Sequence, residues 1–432
     1  MTRIFEAPGV ATIQRTYAVL FFLALSPSPL PASTGFEPET RSFLAAQTVP
    51  EKWLRSKYHV VDNDVINQKF MNHYRVGSRF GVFSAIGNDE LFVRIREIEA
   101  LESLKKMSKG RVFMESAGDA VTDTVENVGD AVDDPAGAAQ DLGSGFSRLF
   151  KRLGRMSRNA YEKGRSMVSK NYQSKEPQKS EAPGSALAKG FLGVNRAYRE
   201  LARELRVDPY TRNEILRSAT ERMASYSAAG SFGVKTIVPV LPILYGAGYL
   251  MAVSDLVYNT HPLDLQLQNE DSLSDMGISE KWIRRLMSSE RHTPTTQTRI
   301  VTSLERLGGV TGKAALVRVA ALARNDSDAL FFTRMIEFLS IYHQQRAPLK
   351  KIIGTDGVPL ALSQNGRAVV MAPFDYFRWT PKGKDFVSHL DSKIPNGTQY
   401  REMWFTGQVS TQARRHLGDA GWAVFDQAAT RI

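Results

Sequence analysis

The run from Thr236 to Ser254, bounded by Lys235 and Asp255, is uncharged and mostly apolar, with amphipathic sequence on both sides. It is close to the roughly 20 residues a helix needs to cross a bilayer. Pro239 and Pro242 each remove a helical donor, and Gly246 and Gly248 weaken the middle. The pattern therefore predicts a broken element, with Thr236–Leu241 extended and Ile243–Val257 helical. It is either a core segment entered through a proline-rich turn or an element that touches a membrane.

Elsewhere the period of the apolar positions decides. Lys57–Val61 and His73–Ser84 alternate as strands about a turn at Asp62–Asp64, after a polar arm at Thr34–Pro50. Leu91, Ile95, Ile98, Leu101 and Leu104 then recur at helical spacing. Residues 186–346 read as successive helices. One is Ala186–Leu205, one is opened by Asp208-Pro209, and others follow Ser279, Thr293-Pro294 and Thr311. Asp328–Gln345 is apolar nearly all round and belongs at the centre of a bundle. Near the C-terminus, Asn365-Gly366 between two apolar runs predicts a hairpin. Pro381–Leu390 suits a helix, and Glu402–Thr406, Ser410–Leu417 and Trp422–Phe425 suit a βαβ-like unit. If this sheet meets the early hairpin, the two ends of the chain come together.

The expected fold is mainly α with small β elements (α+β). Its parts are an N-terminal β-hairpin plus helix at 33–110, a charge-polarised amphipathic segment and flexible linker at 111–185, a central helical bundle at 186–346 and a small C-terminal α/β unit at 347–432.

Residues 1–32 read as an address. Arg3 and Arg15 precede the short apolar core Tyr17–Leu25, and Pro27, Pro29 and Pro31 follow, which predicts a signal peptide cleaved after Ala32. Composition agrees with export. The chain has 432 residues, no cysteine and a net charge of +11. The missing thiol excludes disulfides, thiol nucleophiles and Cys-ligated zinc. The positive charge favours acidic partners.

That charge is unevenly spread. Glu115–Asp141 carries only acids. Phe146–Lys170 is basic, with Arg148, Lys151, Arg152, Arg155 and Arg158 set against Phe146, Phe150 and Leu153. A basic helix with Phe and Leu on its apolar side is an interfacial membrane pattern. The alternative is that the acidic and basic segments mask each other. The patch lacks an aromatic-and-glycine RNA-binding signature, so nucleic acid is disfavoured as a partner.

Catalytic motifs are sparse. Gly308–Ala314 imitates a phosphate loop but has one residue too few between its glycines and Ala where Ser or Thr would hold magnesium. The histidines show no metal-ligand spacing. Asp255, His261 and Asp264 form one candidate acid–base set, against a capped polar turn as the plainer reading. Ser410 and His416 form a second, with helix capping by Ser410 as the plainer reading. No cofactor, metal or small-molecule ligand is indicated. The expectation is an exported, non-catalytic protein of the periplasm or cell envelope, associated with an anionic membrane surface or an envelope partner through Phe146–Lys170. An exported hydrolase and a membrane-inserting helical protein are the alternatives.

Overall fold

The computed structural model describes residues 35–107, 196–228, 255–355 and 357–428. The segments read as signal peptide, charge-polarised linker and central apolar stretch (236–254) lie outside the described residues. The contacts below all fall within the unit Glu37–Ile432.

The N-terminal sheet is antiparallel and contains β1 (Thr40–Leu44), β2 (His59–Val61), β3 (Asp64–Gln68), β4 (Met71–Ser78) and β5 (Gly81–Ile86). β2 and β3 both pair with β4, β1 pairs with β3, and β5 pairs with β4. The expected turn at Asp62–Asp64 is a kink in one interrupted strand, because the Asp62 amide still bonds the Arg75 carbonyl at 2.8 Å. The supposed arm at Thr34–Pro50 contains β1, which pairs with β3 along its whole length. Inward positions Val65, Tyr74, Val76 and Ala85 are buried, as alternation requires. They pack on α1 (Asn88–Met107), which opens with Asp89 and Glu90, ends with Lys105 and Lys106, and so matches its own dipole. Glu90 accepts from the Ile86 amide at 2.8 Å, and Arg94 donates to the Ser84 carbonyl at 3.4 Å, so two side chains of α1 occupy polar groups of β5.

Among the described residues the central helices include α2 (Arg196–Leu205), α3 (Glu214–Ala228), α4 (Pro262–Asp275), α5 (Glu280–Met287), α6 (Pro294–Arg306), α7 (Ala314–Ala321) and α8 (Asp326–Gln345). Thr293 caps α6 with Pro294 in its first turn, as its sequence predicts. Asp208-Pro209 opens no helix. Asp208 is partly buried and accepts from the Tyr210 amide at 2.8 Å, which makes a turn, and α3 begins at Glu214. α8 packs against α6, α7 and the C-terminal sheet, and buries Met335, Ile336, Leu339 and Tyr342.

The C-terminal sheet has the order β12-β10-β8-β7-β6. Its strands are β6 (Leu349–Ile353), β7 (Leu360–Ser363), β8 (Arg367–Ala372), β10 (Tyr400–Phe405) and β12 (Trp422–Phe425). β6, β7 and β8 are antiparallel, whereas β8, β10 and β12 are parallel. The expected hairpin turns at Asn365-Gly366, where Gly366 has φ +77. α9 (Pro381–Asp391) and α10 (Thr411–Asp419) are the crossovers. A two-stranded parallel sheet, β9 (Tyr376–Phe377) with β11 (Gln408–Val409), lies between each parallel strand and its helix. The loop that imitates a phosphate loop is pinned to the sheet, because Thr311 bonds the Lys350 carbonyl at 3.1 Å and the Ile352 amide at 2.8 Å.

The mainly-α class is thereby corrected. Among the described residues, about 50% helix and 21% strand, in three sheets of 5, 5 and 2 strands, make a mixed α+β class. The reason is strand length. Most strands run two to six residues, too few for alternation to stand out, and β3 and β6 hide in polar or lysine-bearing sequence.

Candidate functional site

The sequence candidates go to structural duties. His261 is the N-cap of α4, its Nδ1 accepting from the Leu263 amide at 3.4 Å. Asp255 and Asp264 are exposed. Ser410 is buried and caps α10, accepting from the Ala413 amide at 3.0 Å while its hydroxyl donates to Glu37. His416 stacks on Trp379, with ring centroids 4.5 Å apart at 16°. Neither histidine is joined to a nucleophile. Phe146, Arg148, Phe150, Lys151, Arg152, Arg155 and Arg158 lie outside the described residues. Among the described residues no group of three or more His, Asp or Glu side chains converges to hold a metal.

In an open sheet with parallel strands, the natural ligand crevice lies beyond the carboxyl ends of those strands. Here that place falls after β8 and β10, at Asp375 and Gly407. It is filled by the chain itself. The Gly407 amide bonds the Phe374 carbonyl at 2.9 Å, and the Gln408 amide bonds the Asp375 carbonyl at 2.9 Å. Gly407 permits this closeness, since a Cβ there would lie 1.9 Å from the Asp375 carbonyl oxygen. The β3–β4 hairpin supplies the rest. Its two-residue loop, Lys69-Phe70, accepts the Asp375 and Tyr376 amides on the Phe70 carbonyl at 3.0 and 3.1 Å. The Phe70 ring sits 5.0 Å from Phe374 and 4.8 Å from Phe377, in a cluster that continues to Phe386, Phe405 and Phe331.

Charged side chains lock the junction. The Asp375 carboxyl takes the Asn72 amide at 2.8 Å and the Asn88 amide, at the start of α1, at 3.1 Å. Burial pushes its pKa up to about 7, against the opposing pull of those two amides. Arg378 is fully buried and donates to the carbonyls of Pro38, Glu39 and Asn67 and to Asn67 Oδ1; burial lowers its pKa. Glu37 accepts from the Trp379 amide at 2.7 Å as well as from Ser410. The N-terminal sheet and the C-terminal unit do meet, through the β3–β4 hairpin tip and Glu37–Glu39 rather than through paired strand edges. Composition hinted at this place only through Phe374–Trp379, an aromatic run that contains one acid and one arginine.

Two further features complete the polar interior. Arg299 grips Glu337 at 2.6 and 2.8 Å, and Arg334 bridges Glu337 at 3.2 Å to Asp89 at 2.6 Å, joining α6, α8 and α1. Burial works against the Arg334 cation, but Asp89 and Glu337 more than offset it and raise its pKa. A shallow groove of ≈ 350 Å³ runs between α4 and α6, lined by Leu256, Asn269, Asp271, Asp275, Val301 and Glu305 among others. Asp255, His261 and Asp264 do not line it.

Comparison with known protein families, with curated proteins and with solved structures finds no match.

Proposed function

We propose that the chain is an exported, non-catalytic protein of the cell envelope, which associates with an anionic membrane surface or an envelope partner through the basic amphipathic segment Phe146–Lys170. The observation that carries the non-catalytic part is the filled crevice. The carboxyl ends of β8 and β10 hold Phe70, and both oxygens of the Asp375 carboxyl are taken by backbone amides. The capping roles of His261 and Ser410 support the same reading. The membrane part is supported by sequence, where five cations within Arg148–Arg158 face Phe146 and Phe150. Each contributes on the order of 1 kcal/mol near an anionic surface.

Cell fractionation with a carbonate wash, together with N-terminal sequencing, tests it. The expected product starts near Ser33 and leaves the membrane in carbonate. Neutralising Arg148, Lys151, Arg152 and Arg155 should release it without the wash. A product that resists carbonate, or one retained in the cytoplasm with residues 1–32 attached, would overturn the proposal.

A further inference from the structure

The amino ends of β8 and β10, with the carboxyl end of α8, carry a second arrangement. Glu402 of β10 is buried. It accepts from the Tyr342 hydroxyl at 2.9 Å, from Trp404 Nε1 at 3.1 Å and from Arg367 of β8. The Trp404 indole is held by Tyr342 edge-on at 5.7 Å and by Phe425 stacked at 4.2 Å and 13°. The Arg346 guanidinium lies 5.9 Å from the same indole, and Arg367 lies 5.6 Å over the ring of Tyr400. Arg346, Trp404, Glu402, Arg367 and Tyr400 thus form one connected array. Both ends reach solvent. Arg346 is exposed, and Tyr400, at 61%, is the most exposed large apolar side chain among the described residues.

This composition has a physical direction. Two arginines against one glutamate leave the array at +2 − 1 = +1. Glu402 is committed to Arg367, and among the described residues no carboxylate pairs with Arg346. Each guanidinium is already oriented on an aromatic face, so little side-chain freedom is lost when it meets a carboxylate. Exposed Tyr and Arg are among the side chains that dominate binding energy at protein interfaces, and the buried Trp404 holds Arg346 in place for that contact. Nucleic acid is the poorer fit, since phosphate binding draws on several cations along a backbone, and one of the two here is neutralised.

We propose that this surface docks an acidic protein segment, which places a carboxylate on Arg346 and an apolar side chain on Tyr400. The proposal uses no residue of the membrane reading and fails or holds separately from it.

The test is fluorescence anisotropy of the full-length protein with a fluorescein-labelled peptide of alternating Glu and Leu at low ionic strength. Binding should saturate. Arg346→Gln and Tyr400→Ser should each weaken it about tenfold, the effect of losing one interface contact of ordinary strength. Both positions are exposed, so thermal melting should not move. Arg284→Gln, at an exposed arginine paired with Glu280 on α5, should leave binding unchanged. Four results would overturn the proposal: no saturable binding by the wild type, wild-type binding by both variants, an equal loss in Arg284→Gln, or tighter binding of an oligothymidylate than of the peptide.

Discussion

The hairpin tip that fills the crevice makes a quantitative prediction at Phe70. The β3–β4 loop has two residues, and both have positive φ, +52 at Lys69 and +67 at Phe70. Such loops favour Asn and Gly, because a Cβ in this region crowds the following carbonyl, at a cost of roughly 1–2 kcal/mol per residue. A phenylalanine is held there because its ring is buried between Phe374 and Phe377. Two substitutions separate packing from strain. Phe70→Ala loses the ring and keeps the strain, and large-to-small changes of this kind cost about 3–5 kcal/mol. Phe70→Gly also loses the ring but removes the strain, so it should be about 1 kcal/mol more stable than Phe70→Ala despite being smaller. Urea denaturation of the full chain, monitored by tryptophan fluorescence, reads both midpoints. A cost below about 1 kcal/mol for Phe70→Ala would mean that the ring is not structural, since buried aromatic truncations do not fall so low. A glycine variant less stable than the alanine variant would refute the strain argument.

Other expectations follow from the buried polar groups. Glu337→Gln takes the bidentate carboxylate from Arg299 and leaves Arg334 only the half-buried Asp89, so it should cost about 3–5 kcal/mol, whereas Asp89→Asn leaves Arg334 on Glu337 and should cost about 1–2 kcal/mol. Equal costs in chemical denaturation would refute the chain of pairs. Asp375, raised to about 7 by burial, contributes stability that is fully present below its unfolded pKa and is lost as pH rises through about 7. Asp375→Asn should therefore flatten the dependence of the urea midpoint on pH between about 4 and 7, and an unchanged slope would show that the carboxyl does not titrate there. His59 and His292 act in the opposite sense. Burial lowers both pKa values, so their contribution is present above about pH 6.5 and falls away on acidification. Ser410→Ala removes an N-cap and a partner of Glu37 and should cost about 1–2 kcal/mol. His261→Ala, which removes only a 3.4 Å contact, should cost no more than about 0.5 kcal/mol. Thermal melts that reverse this order would refute the assignment of the two caps.

Local chemistry alone determined several helices, caps and turns. The apolar period of α1, the Thr293-Pro294 opening of α6, the Asn365-Gly366 turn and the Ser410 cap of α10 are all readable because each depends on neighbours within one turn. The balance of helix and strand was not readable in this way. A strand such as β1 or β3 is decided by a partner across the sheet, and five residues carry too little period to reveal it. The site candidates failed for the same reason. His261 and Ser410 have the right atoms for catalysis, but whether a side chain caps a helix or activates a nucleophile depends on what stands opposite. The junction of Phe70, Asp375 and Arg378 joins residues some 300 positions apart. So does the bridge from Asp89 to Arg334, across 245 positions. Only the folded chain sets such distances, because burial and pairing are properties of the space between segments, while the sequence specifies each segment singly.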